Sequence, residues 1–458
     1  MIGKYGKEPK IKKGLMTTTR IIMLGFLLGA LLGSVLLCLP VSIKKGVDIG
    51  YVDSLFVSVS AICVTGLSTV NIGQTFSAFG QIVLLLLIQM GGLGVVTFTT
   101  SLLLLLRRKI TLKDRLLIQN AYNLDTLAGL VKLTVNILKA TLVIELLGAL
   151  LYAFVFVPDY GPVGLWYALF HAVSAFCNAG IDLLGGNSFC QYRDNVLLNL
   201  TTVFLIIAGG LGFPVFWEIG RVCRGKIKKC SERRCMSFHA RLVIGVTIFL
   251  VIVGTFLTLV LEYSNPETLG PLSFPGKCMA ALFQSVTLRT AGFATIDQSG
   301  FRSVSCMAYL LLMFIGGSPA GTAGGVKTIT IFLLAASVIS NIRGEREVIV
   351  LNRKVTDTVI RRCVAIIIFS FSVLGILTAV LMAVQSYDFL DTIFEMTSAI
   401  ATVGLSRGMT GALGVSGKLI VSLAMYLGRI GPITLALAFN TDKAKSSYSC
   451  AEGKVIIG

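Results

Sequence analysis

Long apolar segments alternate with short basic ones along all 458 residues. Residues 21–39, 133–157, 242–261 and 363–387 each come close to the ~20 apolar residues that one bilayer crossing requires. Each is followed by a shorter apolar stretch, a polar dip and a second apolar segment. In the first block no Asp, Glu, Lys or Arg occurs between Ser54 and Leu106, a run of 53 residues. That is too long for one crossing and, with its polar middle, too short for a comfortable hairpin of two. A half-crossing plus a full crossing fits: 54–62 enters as a short helix, 64–69 runs back outward without helical structure, and 76–106 crosses completely. Non-helical backbone at membrane depth is tolerated only where it is buried in protein or lines an aqueous cavity.

The polar dip recurs in phase. Cys63-Val64-Thr65-Gly66-Leu67-Ser68 is followed by Cys177-Asn178-Ala179-Gly180-Ile181-Asp182, Arg289-Thr290-Ala291-Gly292-Phe293-Ala294 and Ala401-Thr402-Val403-Gly404-Leu405-Ser406, with the glycines 114, 112 and 112 residues apart. Phe56, Phe170 and Phe394 lie ten residues before their glycine and Ser60, Ser174 and Ser398 six before, whereas the third copy places Phe283 at nine. A period this long marks a whole-domain repeat rather than a solenoid unit. Gly permits positive φ and close approach of backbones around an axis, so that neighbouring carbonyls can face a central ion. A single such glycine reads equally well as a helix-packing residue; four in phase do not.

With these four loops the chain resembles the Trk/Ktr/HKT potassium transporters, most of all the bacterial Ktr membrane subunits, over nearly its whole length. The resemblance implies an all-α polytopic membrane protein of four tandem helix–pore loop–helix repeats, eight transmembrane helices around one potassium-channel-like pore. It implies a selectivity filter with one Gly per loop, formed by Val64, Thr65 and Gly66, by Asn178, Ala179 and Gly180, by Thr290, Ala291 and Gly292, and by Thr402, Val403 and Gly404, with K+ held at these residues. K+ is then the transported ion and Na+ a candidate coupling ion. The implied partners are a second copy of the chain, a cytosolic nucleotide-binding regulatory subunit of the RCK/KTN type, and membrane lipids. Four repeats without an extra N-terminal helix pair, and the short tail 454–458, favour the Ktr type.

Composition supports the membrane reading: 55% hydrophobic, 14% charged and a mean hydropathy of +0.86, values soluble folds rarely reach. The net charge of +18 invites a nucleic-acid reading, but the basic residues sit between apolar segments. Of the 40 Lys and Arg, 29 fall in 1–20, 107–132, 221–241, 343–362 and 441–458. By the positive-inside rule these five segments face the cytoplasm, so the chain is expected in the bacterial cell membrane with both termini inside. Between them lie repeat 1 (21–106), repeat 2 (133–220), repeat 3 (242–342) and repeat 4 (363–440). Most of the eleven cysteines lie in apolar or basic stretches, which argues against a disulfide framework. Cys223, Cys230, Cys235 and His239 are close enough to raise a zinc site but contain no C-x2-C pair. Residues 21–39 exceed a signal-peptide core and no small-residue cleavage site comes after them, so they read as a retained helix.

Within repeat 1, Gly25, Gly29 and Gly33 form a small-residue face suited to close helix contact. In repeat 2, Lys139 is expected to snorkel and Glu145 to pair with a neighbouring helix. In repeat 3, Gly316-Gly317-Ser318-Pro319-Ala320-Gly321-Thr322-Ala323-Gly324-Gly325 contains five glycines and one proline, at ~1 and ~3 kcal/mol each in a helix interior. No continuous helix survives there, and the segment has few helical hydrogen bonds to lose. A phosphate-binding P-loop at 321–328 fails because Val326 rather than Gly precedes Lys327. In repeat 4, the apolar run 419–439 contains Arg429 between Gly428 and Gly431, and a mid-membrane Arg is by default functional. The resemblance implies that Arg429 and 316–325 together form a gate below the filter.

Asp53, Asp159, Asp182, Asp297 and Asp391 are expected around the outer mouth, either attracting cations or as a solvated rim. A sodium-selective transporter of the same fold would be favoured by Ser in place of Gly66. An enzyme is disfavoured because the two histidines, His171 and His239, fall on opposite sides, and His171 reads as a packed polar residue. No stretch supplies an ATP site.

Overall fold

The computed structural model describes residues 18–105, 130–185, 188–227, 236–345 and 347–431. Four long apolar helices open the four repeats: Thr18–Cys38, Leu130–Tyr160, Phe238–Glu262 and Asp357–Val384. Each is long and apolar enough to cross a bilayer. Each is followed by a short helix, at Tyr51–Cys63, Val163–Phe176, Phe274–Thr287 and Phe389–Ile400. Caps set several starts: Ser237, Ser273 and Asp388 accept from Ala240, Gly276 and Leu390 amides, satisfying donors that the first helical turn leaves free.

In repeats 1 and 2 the second helix differs from the continuous crossing expected. The segment expected as one helix over 76–106 is two, Ala78–Leu93 and Val95–Leu105, bent by 110° at Gly94. That expected over 196–219 is likewise Val196–Gly210 and Phe213–Ile227, bent by 104° around Gly212. Repeat 3 divides into Ser303–Phe314 and Thr328–Ile342 on either side of 316–325, as its glycines and proline require. The helix expected over 419–439 is Val415–Ile430, closed by Gly431 at φ 81°, and 432–439 lies outside the described residues. Gly94, Gly212 and Gly431 have φ of 83°, 89° and 81°, a region natural to Gly and strained for other residues. Breaks of this kind need protein or water around them at membrane depth.

The outer surface is apolar, as lipid requires: Leu28, Leu32, Phe249, Ile252 and Phe256 are all exposed. The interior is rich in Ser, Thr and Gly. The glycine face of the first helix is used as expected, since a Cβ at Gly29 would meet Ile62 and Met90 and one at Gly33 would meet Leu87 and Ser58. Among the described residues one hairpin is not helical. Val348–Val350 and Arg353–Val355 pair antiparallel within the basic stretch 343–362, a two-stranded departure from the all-α expectation. The linker 107–129, the C-terminal tail and the Cys223, Cys230 and Cys235 side chains lie outside the described residues.

Candidate ion pathway

The four short helices end alike. The residue two before each glycine lies in the left-handed region, with φ of 57° at Val64, 58° at Asn178, 64° at Thr290 and 51° at Thr402. Three of these are β-branched, for which such a conformation is an outlier costing ~1–3 kcal/mol. It persists because the next amide is tied back to the helix: Thr65 N donates to Ser60 O at 2.8 Å, Ala179 N to Ser174 O at 2.8 Å and Val403 N to Ser398 O at 2.7 Å. In the third copy Ala291 N instead reaches Thr287 O, four residues back, at 3.0 Å. The one-residue offset of Phe283 in the sequence is this shorter turn. Side chains add a second tie. Gly66 N and Gly404 N donate to the hydroxyls of Ser60 and Ser398 at 3.1 and 3.0 Å, Ser174 exchanges bonds with both backbone groups of Ile181, and Thr287 donates to Phe293 O.

The glycines meet in a ring. A Cβ placed on Gly66 would lie 2.6 Å from Ala179 O, one on Gly180 2.6 Å from Ala291 O, one on Gly292 2.9 Å from Val403 O, and one on Gly404 would strike Thr65 O. Each glycine therefore abuts the carbonyl that precedes the next, in the order 66, 180, 292, 404 and back to 66. Their φ values of 98°, 63°, 80° and 92° and this contact both exclude a side chain. All twelve residues named from sequence lie in these loops. Four backbone carbonyls around one axis present a concentration of oxygen dipoles suited to a dehydrated cation.

Above the ring opens a cavity of about 320 Å³ that all four glycines line, together with Asp182 and Asp297. The other three acids named for the mouth are engaged elsewhere. Asp53 pairs with Lys418 at 2.6 Å and accepts from Thr69, Asp391 pairs with Arg407 at 2.7 Å, and Asp159 accepts from Tyr192. These bonds help close the circle of repeats. Lys418–Asp53 joins repeat 4 to repeat 1, Trp166 donates to Gln81 between repeats 2 and 1, Phe189 N donates to Ala294 O between 2 and 3, and Arg407 donates to Gln298 O and Phe301 O between 4 and 3. His171 is buried, with its ring between Tyr167 O and Leu183 N, the packed polar residue expected.

Below the ring lies 316–325, with Gly324 against the Thr402 side chain and Gly325 near Ala401 O. The segment is far from loosely held. Ser318 N donates to Gly210 O at 3.0 Å, Thr322 N to Gly209 O at 3.1 Å and Phe213 N to Ala320 O at 3.1 Å, all at the break of repeat 2. The Thr322 hydroxyl donates to Phe176 O, the last helical carbonyl of the second short helix. Arg429 reaches the segment from repeat 4, donating to Thr322 O at 2.6 Å and to Gly91 O of repeat 1. Lys327 donates to the adjacent carbonyl, Ala323 O, at 2.8 Å. Among the described residues no carboxylate pairs with Arg429 or Lys327.

Sequence reading named Gly428 beside Arg429 but missed Gly91 and Gly209, and with them the contact that all three glycines make possible. A Cβ on Gly91, Gly209 or Gly428 would strike the carbonyl of Ile62, Phe176 or Ile400, each four residues before its ring glycine. The signal was present as Gly91-Gly92-Leu93-Gly94, Gly209-Gly210-Leu211-Gly212 and Gly428-Arg429-Ile430-Gly431, a second recurring motif that follows the ring glycine of its repeat by 25, 29 and 24 residues. Also missed was the partner of Glu145, which is Gln89, donating to both carboxylate oxygens at 3.0 and 2.7 Å.

Repeated spans, returning loops and a carbonyl ring on the axis define an integral membrane protein of the ion-transport class. The chain belongs to the TrkH family of cation transport proteins, whose family model matches residues 7–448. It is 37% identical over 454 residues to the Ktr system potassium uptake protein B of Bacillus subtilis (strain 168), covering 99% of each chain. It is 36% identical to the protein of that name in Vibrio alginolyticus, covering 94% of this chain and 92% of that one. It is 34% identical to the potassium/sodium uptake protein NtpJ of Enterococcus hirae, over 98% and 99%. The crystal structure of the potassium transporter TrkH from Vibrio parahaemolyticus superposes with a TM-score of 0.72 at 19% identity, covering 95% of this chain and 87% of that one, a likeness of fold.

Proposed function

We propose that this chain is the pore-forming subunit of a potassium uptake system, passing K+ inward through the ring of Gly66, Gly180, Gly292 and Gly404. The ring carries the reading: four carbonyls held around one axis replace part of an ion's hydration shell, and the short helices behind them direct their C-terminal partial negative charge at the same point. The 316–325 segment with Arg429 is the gate on the inner side. Kinship with proteins named for potassium uptake supports K+ as the ion, and kinship with one named for potassium and sodium supports a role for Na+ as coupling ion. We infer further that two copies assemble on a cytosolic nucleotide-binding subunit of the RCK/KTN type in the cell membrane, with both termini inside. The nine segments delimited from sequence stand as that topology. Potassium and sodium uptake by a potassium-auxotrophic bacterium carrying the gene is the direct test. Growth rescue at low K+ is expected, and rescue of Na+ uptake alone overturns the potassium assignment.

A further inference from the structure

Gln89, Glu145 and Cys177 come from three different elements and meet behind the second pore loop. Gln89 lies on Ala78–Leu93 of repeat 1, Glu145 is the middle residue of the 31-residue apolar span Leu130–Tyr160 of repeat 2, and Cys177 caps the short helix Val163–Phe176. The Gln89 amide nitrogen donates to both oxygens of Glu145 at 3.0 and 2.7 Å, and the Cys177 thiol donates to the Gln89 amide oxygen at 3.2 Å. Glu145 and Cys177 are both buried. Gly92 makes this approach possible, because a Cβ there would lie 2.5 Å from Cys177 Sγ. Residues three apart share a helix face, so the Gln89 amide and the gap at Gly92 face the loop together.

The carboxylate dictates the order of these bonds. An ionised Glu only accepts, so the NH2 of Gln89 must turn toward it and the amide oxygen is left facing the thiol. Among the described residues no Lys or Arg forms an ion pair with Glu145. A carboxylate in mid-span without a cationic partner is costly, and an apolar residue of similar size would fill the space at less cost. The acid is therefore kept for what it orients.

What it orients bears on the ring. Cys177 is followed by Asn178 at φ 58° and by Ala179, whose amide is tied to Ser174 O and whose carbonyl abuts Gly66. A shift at Cys177 reaches a ring carbonyl within two residues. At the corresponding places in the other loops stand Cys63, Arg289 and Ala401. Among the described residues neither Cys63 nor Arg289 makes a side-chain hydrogen bond, and Ala401 has no group to make one. The second loop alone is moored in this way.

We propose that Glu145 and Gln89 are positioning residues for ion selection: the carboxylate orients the Gln89 amide, the amide holds the Cys177 thiol, and the second loop is thereby kept where Ala179 O completes a ring that prefers K+ over Na+. This role rests on the assignment of the ring as the K+ filter.

The test uses the purified full chain in liposomes, with K+ and Na+ flux measured per molecule. The S–H stretching band of Cys177, isolated in each background as the infrared difference on Cys177→Ser, reads the thiol bond directly. Glu145→Gln exchanges an obligate acceptor for a group that also donates, which frees the Gln89 amide to turn over. The preference for K+ should fall about two- to tenfold, the span of one neutral hydrogen bond, and the band should move to the position of an unbonded thiol. Cys177→Ala should lose the same factor, and adding Glu145→Gln to it should cost nothing further. Exchanging the pair, with Gln89→Glu and Glu145→Gln together, returns an acceptor to the thiol and should restore both readouts. A parent-like preference in Glu145→Gln overturns the proposal, whether or not the band moves. So does a loss that the exchange leaves unrepaired, or one that adds in full to that of Cys177→Ala. Should Glu145→Gln fail to fold, the Cys177→Ala variant and the exchanged pair decide by the same two readouts. A parent without any K+ preference overturns the filter assignment and this role with it, whereas a K+-selective parent with unmoved variants overturns this role alone.

Discussion

The guanidinium of Arg429 donates to the carbonyl of Thr322 at 2.6 Å across 107 residues of chain, joining repeat 4 to the interrupted helix of repeat 3. Its other arm reaches Gly91 O of repeat 1. One side chain thus draws three repeats together beneath the glycine ring, and its charge is balanced only by carbonyl dipoles among the described residues.

Replacing Arg429 by Ala removes both bonds and the charge. At an effective dielectric of ~20, two unit charges ~4 Å apart repel by about 4 kcal/mol, a ceiling of roughly a thousandfold in rate if wholly expressed in the barrier. Arg429→Ala should raise K+ flux per purified molecule in liposomes by tenfold or more, and Arg429→Lys by less. A drop in folded protein without a rise in flux per molecule would mean that Arg429 only ties helices together.

Thr322 gives a finer probe of the same closure. Its hydroxyl bonds Phe176 O at 3.1 Å, and Thr322→Val keeps the shape while removing that bond. A neutral hydrogen bond contributes about 0.5–1.5 kcal/mol net, so the closed state should weaken by roughly two- to tenfold. Flux per molecule should rise by that factor with the amount of folded protein unchanged. Flux equal to the parent would show that the backbone bonds to Gly209 and Gly210 alone hold the segment.

The spans and the four loops were legible because both leave strong periodic traces, long apolar runs and a phased glycine. The one-residue offset at Phe283 was visible too, though only the bond from Ala291 N to Thr287 O gives it meaning. The breaks at Gly94 and Gly212 were not foreseen, since the runs around them stay apolar and hydropathy cannot register a bend. Pro214 follows the glycines of repeat 2 as well, but only repeat 3 gathers five glycines and a proline into ten residues. Cross-repeat bonds such as Lys418 to Asp53, 365 residues apart, leave no local trace at all, so Asp53 looked the same as the acids that line the cavity.

The ring can be tested by crowding it. Ser at Gly66 or Gly404 meets both an unfavourable φ, 98° or 92°, and the carbonyl of a neighbouring loop. Gly33 is a poor control, because its missing Cβ makes room for Ser58 and Leu87. Gly375 has open space around it and is the better one. Gly66→Ser and Gly404→Ser should weaken K+ affinity or admit Na+ at least tenfold more than the parent, with Gly375→Ser unchanged. Equal K+ uptake by all three would remove the ring from the ion path.

Topology is open to labelling of single cysteines in intact cells. Cys190 is partly exposed and lines the cavity above the glycine ring, so if that cavity is the outer mouth an impermeant thiol reagent should modify it, and K+ should slow the reaction by occupying the same space. Cys230 and Cys450 belong to the basic segments that the positive-inside rule places in the cytoplasm. They should react only after the membrane is permeabilised. The two sets constrain each other: the ring lies between Cys190 above and the 316–325 segment below, so modification of Cys230 or Cys450 from outside would invert the pore and turn the proposed gate toward the exterior.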